Sequence, residues 1–421
     1  ISLEIRKFTE RVNDNEKSFA YLAKMPLMFN TREFVYKQMW RRNEDRSIDV
    51  AVQPVEANID YGGTVGNLIR GTSKAIFTAT NVESIGGVPQ CQIRLLQFVD
   101  AGGYIPVYLI NRNMPRALNT INIVQNIYRQ DNEIDRVALA SLANTIRNEQ
   151  QDYSEEEKEA IRKGKEFYRK CRESMRFDKL KSPDQRVRIK TVHLEGDTHG
   201  VGLVEAVVDA SLEESAAYDF IKDSRERLAG LTEKRVVKQE IKKLNDHSQL
   251  LRSVRDLGFG LSKREGHIQI IWASEGEGNS RKVWVVYKDT ENTKKEFPVE
   301  QGHVLLSLQT TFLFEPLKNV GGVPQTKATY VTRADIRGSV PVWAMNRLAV
   351  KQANNMIQMR NRFDKSKEID AANRTQIVEK IKAVTNKSKE KFTDKFVEVG
   401  GKQKVEGAFP LSDPWLKVEG K

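Results

Sequence analysis

The chain has 421 residues, of which 39% are hydrophobic and 30% charged, with a formal net charge of +12. This is globular material with room for about two to three domains; no apolar run approaches the roughly 18 to 20 residues of a membrane span, and the basic excess suits an anionic membrane surface or a nucleic acid without choosing between them. Cys91 and Cys171 are the only thiols and lie in no metal-ligand or CxxC spacing, so a reducing, intracellular setting is the default.

In chain order, the run up to Trp40 reads as a strand, and Gly86-Gly87-Val88-Pro89-Gln90 reads as a turn between strands. That turn lacks the Gly-Lys-Ser/Thr ending of a phosphate loop. Pro106 opens a long helix to Tyr128, at a first-turn position where the missing N–H costs nothing, and Pro115 inside it marks a kink. Val107, Ile110, Met114, Ala117, Leu118, Ile121, Val124 and Tyr128 fall at three- and four-residue spacings along one stripe. Residues 131–176 are dense in charge, and Ser154 with Glu157 forms a capping box for a helix carrying Ile161, Phe167, Tyr168, Cys171 and Met175.

Gln185–Glu195 and Val201–Ala210 alternate and are rich in β-branched residues, which predicts a hairpin, followed by a helix over Ser211–Arg227. Strands are expected near Val236–Leu244, Gln249–Asp256, Glu265–Ser274, Lys282–Tyr287, Val304–Phe314 and Gln325–Asp335. Pro341 opens a second long helix to about Phe363, with a stripe of Val342, Met345, Ala349, Ala353, Met356, Met359 and Phe363. Methionine side chains adapt to irregular or changeable surfaces. A helix packed plainly on a sheet would account for either stripe.

The elements repeat. A shift of 235 (321 minus 86) carries Gly86–Gln90 onto Gly321–Gln325, Asp100 onto Asp335, Asn111-Arg112 onto Asn346-Arg347, and Glu133-Ile134-Asp135 onto Glu368-Ile369-Asp370. Upstream, a shift of 232 (264 minus 32) carries Arg32-Glu33 onto Arg264-Glu265 and Trp40 onto Trp272. A period this long means tandem globular domains rather than a solenoid. Pro183 and Val187 recur as Pro414 and Val418. The expected division is a domain truncated at its N-terminal side over 1–130, a linker over 131–152, a complete domain over 153–366, and a helical linker with the beginning of a third copy over 367–421.

An antiparallel sheet preceded by a hairpin and short helix, and closed by one long helix, is an α+β helix-grip arrangement. Asn245-Asp246-His247-Ser248, Leu261-Ser262-Lys263-Arg264-Glu265 leading to Trp272, and Val331–Asp335 followed by Gly338–Trp343 and Asn346-Arg347 resemble the steroidogenic-acute-regulatory-related lipid-transfer (START) domains. Phe29–Glu33 up to Trp40, Val99-Asp100, Gly103–Tyr108 and Asn111-Arg112 repeat the resemblance. It implies a tunnel between sheet and C-terminal helix that holds a single lipid, phospholipid or sterol, with no cofactor and no enzymatic step. It also implies transient contact with a membrane surface and a cytoplasmic location, with peripheral membrane attachment as a further option; no nucleic-acid partner is expected, and the oligomeric state is left open.

If Arg264 points inward, as the comparable arginine does in the family, then Gly266, Ile268, Ile270 and Trp272 share its face by alternation. The first copy places Arg32, Phe34, Tyr36, Gln38 and Trp40 there. Ile110, Met114, Met345, Ala349, Met356 and Met359 would line the tunnel from the helix side. Gln38 and Ile270 stand where some sterol-binding members have a second arginine, which weighs against sterol specificity. Plainer readings stand beside these: Arg-Glu pairs at a core edge, packing tryptophans, and Asp100 and Asp335 fixing a turn.

All five histidines lie in the second copy, so a chemistry common to both copies cannot use histidine, and no hydrolase or metallopeptidase pattern is present. The competing reading is a non-catalytic interaction scaffold of START-like domains without ligand. The lysine-rich run Lys380, Lys382, Lys387, Lys389, Lys391 and Lys395 suits such a role as well as it suits a solvated helix face.

Overall fold

The computed structural model describes residues 3–25, 29–63, 66–106, 108, 111–112, 115, 118–196, 200–258, 260–338 and 354–397. Val107, Ile110, Met114, Ala117, the stretch from Pro341 to Ala353 with Val342, Met345 and Ala349, and Pro414 and Val418 lie outside the described residues. The chain divides into two compact units: unit one holds Ile1–Gln151, Ala217–His267 and Glu291–Leu305, and unit two holds Asp152–Ala216, Ile268–Thr290 and Leu306–Lys421.

Unit one contains a sheet of consecutive strands β1 (Leu3–Asn13), β2 (Glu16–Lys24), β3 (Thr31–Arg42), β4 (Ile48–Pro54), β5 (Leu68–Ile85) and β6 (Val88–Asp100). All neighbours are antiparallel, and β5 additionally pairs parallel with the start of β3 through Thr31 and Leu68. The β5–β6 turn explains the Gly-Gly pair. Ile85 pairs with Val88, leaving a two-residue loop in which Gly86 and Gly87 have φ of 58° and 78°. A type I′ turn needs positive φ at both positions, which glycine adopts without steric cost. Gly321 and Gly322, at 58° and 81° between Val320 and Val323, solve the same problem in unit two.

The unit also holds α1 (Thr120–Tyr128) and α2 (Asp131–Asn148), the latter in the expected linker, then α5 (Arg225–Ala229), β10 (Val236–Asn245), β11 (Ser248–Arg255), α6 (Glu291–Glu296) and β14 (Val304–Leu305). β12 (Arg264–Glu275) contributes its residues Arg264–His267, of which Arg264 and Glu265 pair parallel with β14. The β1–β2 and β10–β11 turns are built alike, with the Asn13 and Asn245 side chains each accepting from the backbone N–H two residues on, at 3.0 Å. Asparagine does this readily, which favours the turn over a continued strand. No residue of α1 is buried, and Leu118 and Tyr128 of the expected stripe are exposed.

Unit two carries the strand order β12, β13 (Lys282–Asp289), β15 (Ser307–Val320), β16 (Val323–Asp335), β9 (Val201–Val208), β8 (Val187–Val192), β7 (Phe177–Leu180). Its helices are α3 (Glu155–Glu173), the first residues of α4 (Leu212–Phe220) as far as Ala216, α7 over 354–362 and α8 (Ser366–Val397). With antiparallel sheets and helices packed on them, the architecture is α+β. Among the described residues no helix is long and apolar enough to cross a membrane.

α3 covers one face of this sheet. Phe167, Tyr168 and Cys171 pack with Trp284, Leu313, Val331, Leu203, Val201 and Val192, and Ala160 and Ile161 with Ile271 and Ala273. Met175, past the helix end, is exposed. The helix comes closest at Gly164, where an added Cβ would sit 2.8 Å from both Val286 methyls. Gly164→Ala is expected to overpack this contact and destabilise the protein by about 1 to 3 kcal/mol, seen as a lowered urea midpoint. The capping box is formed: Ser154 Oγ accepts from the Glu157 N–H at 3.3 Å, and the Glu157 carboxylate accepts from the Ser154 N–H at 3.0 Å. Ser154→Ala should cost about 1 kcal/mol and speed amide exchange in the first turn of α3.

Two expected elements are divided. The helix over Ser211–Arg227 stops at Phe220 and restarts at Arg225, because Ser224 Oγ accepts from the Arg227 N–H and caps a new helix. The strand over Val304–Phe314 breaks at Leu306 into β14, parallel to β12, and β15, antiparallel to β13. Strand propensity along a segment does not reveal a change of partner.

Candidate functional site

Strand alternation puts Ile271, Ala273, Trp284, Leu313, Val331 and Leu203 under α3, so their neighbours in sequence face the other side. Cross-strand register arranges that second face in rows. Trp272 lies opposite Val285, Val285 opposite Phe312, Phe312 opposite Tyr330, and Tyr330 opposite Val204. The adjacent row runs Ile270, Tyr287, Thr310, Thr332, Gly202. Phe312 is the hub, with ring centroids 4.6 Å from Tyr330, 5.9 Å from Phe314 and 5.9 Å from Tyr287. Polar chemistry enters through the hydroxyls of Thr310 and Thr332, 2.7 Å apart. Gly202 leaves open the space a side chain would occupy; a Cβ there would touch the Thr332 methyl at 3.4 Å.

This face holds the expected residues Ile268, Ile270 and Trp272 together, all buried. Met356, Met359 and Phe363 at the described end of the second long helix are also buried. Arg360 donates to the Val207 carbonyl, and the Lys365 N–H to the Asp209 carboxylate, which fixes that end beside β9. Sequence reasoning missed Tyr287, Phe312, Tyr330, Thr310 and Thr332. β13 is apolar on both faces, with Val283, Val285 and Tyr287 alternating with Trp284 and Val286, so its phase cannot be read from hydrophobicity; the register identifies the side opposite α3.

The sheet of unit one carries the corresponding rows. Trp40 lies opposite Val50, Val50 opposite Phe77, and Phe77 opposite Leu95, while Gln38 lies opposite Val52, Val52 opposite Ala75, and Ala75 opposite Gln97. Two amides stand at the ends of the second row where unit two has an isoleucine and a threonine. Trp40 is 47% exposed, and its indole N–H donates to the Asp14 carbonyl at 3.0 Å. Phe34 stacks on Tyr21 at 5.1 Å, Tyr36 lies 5.1 Å from Phe19, and a Cβ on Gly71 would lie 2.6 Å from the Phe34 ring.

The two arginines are buried against backbone. Arg32 donates from Nε to the Ala101 carbonyl at 2.9 Å, from Nη2 to Gly102 at 3.2 Å and from Nη1 to Asn30 at 2.6 Å, pinning the loop that follows β6. Arg264 Nη1 donates to the Ser262 carbonyl. Asp100 and Asp335 each accept from the N–H two residues on, at 2.9 Å, fixing the turn after the strand.

A polar cluster in unit one lies on the opposite side of β12 from Arg264. The Glu265 carboxylate accepts from Arg252 Nε at 2.7 Å, His267 Nε2 at 2.7 Å, His303 Nδ1 at 2.7 Å and the Glu300 N–H at 3.3 Å. Burial by itself would raise the carboxyl, but the bonds from Arg252, His303 and His267 and the Glu300 N–H outweigh it and hold its pKa at about 2. Glu240 and Glu300 complete the shell of Arg252 at 2.6 and 2.9 Å. With every carboxylate lone pair engaged, the cluster is a clamp on the 291–305 segment rather than a reactive centre. Among the described residues no group of three His, Cys, Asp or Glu could hold a metal ion.

No protein-family model and no curated protein matches the chain. Among solved structures it is similar to the human StarD13 (DLC2) lipid transfer and protein localization domain, at 16% identity over 51% of this chain and all of that one, with a TM-score of 0.37. It is also similar to human STARD10, at 15% identity over 51% of this chain and 80% of that one, with a TM-score of 0.37. A STAR-related lipid transfer protein from Xanthomonas axonopodis matches at 16% identity over 44% of this chain and 98% of that one, with a TM-score of 0.35.

Proposed function

We propose that the chain is a tandem of START-like domains, over 1–130 and 153–366, that bind and transfer lipid, each holding one lipid between its sheet and its C-terminal helix. The observation that carries this is the sheet face opposite α3, where Trp272, Val285, Phe312 and Tyr330 form a continuous apolar row beside a single threonine hydroxyl pair. The buried Met356 and Met359 supply the helix side, with the expected residues of β12 opposite. Such a surface suits an acyl chain with one polar anchor.

No catalytic group is needed. Burial of each methylene is worth about 0.8 kcal/mol against water, but a lipid leaving a bilayer exchanges one apolar medium for another. The protein shields the lipid in transit, and opening of the helix sets the rate. The +12 charge supports transient attachment to anionic headgroups, at about 1 kcal/mol per Lys or Arg near the surface.

Native mass spectrometry of the full chain after incubation with liposomes tests this. Adducts of lipid mass, at most one per domain, are expected. A mass unchanged by liposomes would leave the interaction scaffold as the better reading; in its favour, α8 exposes Ile377, Val378, Ile381 and Val384.

A further inference from the structure

The helices that follow β6 and β16 match in sequence but differ in surroundings. In unit one, α2 presents Asp135 to the start of α5: its carboxylate accepts from the Arg225 N–H at 2.9 Å and the Glu226 N–H at 3.0 Å. The Arg225 guanidinium reaches Asp131 at 3.0 Å and Gln90, beside the Gly-Gly turn, at 3.4 Å. Ile134, Asp135, Ala143 and Ile146 of α2 are all buried. Together they form a clasp in which an aspartate satisfies two open N–H groups of a helix start over an apolar seat.

The 235-residue shift places Ile369, Asp370, Val378 and Ile381 of α8 at the positions of Ile134, Asp135, Ala143 and Ile146, and Gln325 at that of Gln90, while Ser366 stands where α2 has Asp131. The helices also meet their turns alike: a Cβ on Gly86 would touch Val137, and one on Gly321 would touch Ala372, the residue in register with Val137. Yet Ile381 is 60% exposed where Ile146 is 0%, Val378 is 47% exposed where Ala143 is 4%, and Asp370 is exposed. Gln325 is 7% exposed, and its Oε1 matches the Gln90 Oε1 that accepts from Arg225 in unit one.

We propose that the Ile369, Asp370, Val378 and Ile381 face of α8 is a docking surface for another copy of the repeat unit. It receives the segment equivalent to Ser224–Ala229, with Asp370 capping the helix start and an arginine in the position of Arg225 reaching Gln325. The clasp of unit one supplies the occupant's chemistry: a helix start with two open N–H groups and an arginine at its first position. This inference goes beyond lipid binding and holds whether or not the domains carry lipid.

The test lengthens the full chain by a duplicate of residues 191–366 after Lys421, which keeps the register of Pro183 on Pro414, and follows amide exchange. Exchange over 369–381 is expected to slow at least about tenfold, toward the protection of 134–146, and to return to the original rate with Asp370→Ala or Ile381→Asp. Unchanged exchange over 369–381, while the appended strands are themselves protected, overturns the proposal. If the appended strands are unprotected, a labelled peptide of residues 217–235 titrated onto the original chain decides. Saturable binding lost in Ile381→Asp supports the clasp, and no saturation rejects it. Concentration-dependent self-association of the original chain, abolished by Ile381→Asp with no peptide bound, would assign the face to contact between chains through α8 itself and also reject it.

Discussion

Glu265→Ala is expected to destabilise unit one by about 3 to 5 kcal/mol, the cost of breaking a buried ion pair while leaving its partner charged. Arg252 is 3% exposed and Glu265 fully buried, and removal of the carboxylate also strands the donors of His267 and His303 and the Glu300 N–H. Glu300→Ala is the control, because its side chain is 44% exposed, its pair with Lys238 is at the surface, and Arg252 keeps Glu265 and Glu240 without it; its cost should stay within about 1 kcal/mol. Urea unfolding followed by amide exchange over 236–255 separates the two variants, and equal costs would refute the clamp.

The same carboxylate sets an acid limit. Its folded pKa of about 2 lies below the ordinary value of 4.5, so the unfolded chain binds the proton more readily. The stabilisation is fully present above pH 4.5 and is lost as the pH falls toward 2. Glu265→Gln should flatten that part of the stability profile, and a wild-type profile that is flat between those values would contradict the assignment.

Trp272→Ala is expected to cost about 3 to 5 kcal/mol, as for other fully buried aromatic side chains, whereas Trp40→Ala at the matching position should cost about 1 kcal/mol. Trp272 is 1% exposed within the row of Val285 and Phe312, while Trp40 is 47% exposed and contributes one hydrogen bond to Asp14. Thermal or urea unfolding of both variants checks the difference. Similar costs would mean that exposure does not distinguish the two faces. Under the proposed function Trp272→Ala also opens the wall of the lipid site, so the bound lipid should shift toward longer or bulkier chains in native mass spectra.

The amino-acid sequence alone determined the motifs that recur at shifts of 232 and 235, the positions of most strands, the capping box at Ser154 and Glu157, and the turns at Gly86-Gly87 and Gly321-Gly322. Each rests on local chemistry: alternation, side-chain capping, and the positive φ that glycine accepts. It also grouped Ile268, Ile270 and Trp272 on one face, since a single strand alternates whatever its partners are. Only the tertiary structure decided which face of β13 is opposite α3, because that strand is apolar on both sides and its phase is set by register with its neighbours. Tertiary structure also assigned Glu265 to a clamp with Arg252, His267 and His303, residues up to 38 positions away, and pinned Arg32 to the loop after β6. The identical motifs on α2 and α8 make the physical reason plain: burial is a property of what a side chain meets, and residues far along the chain supply that.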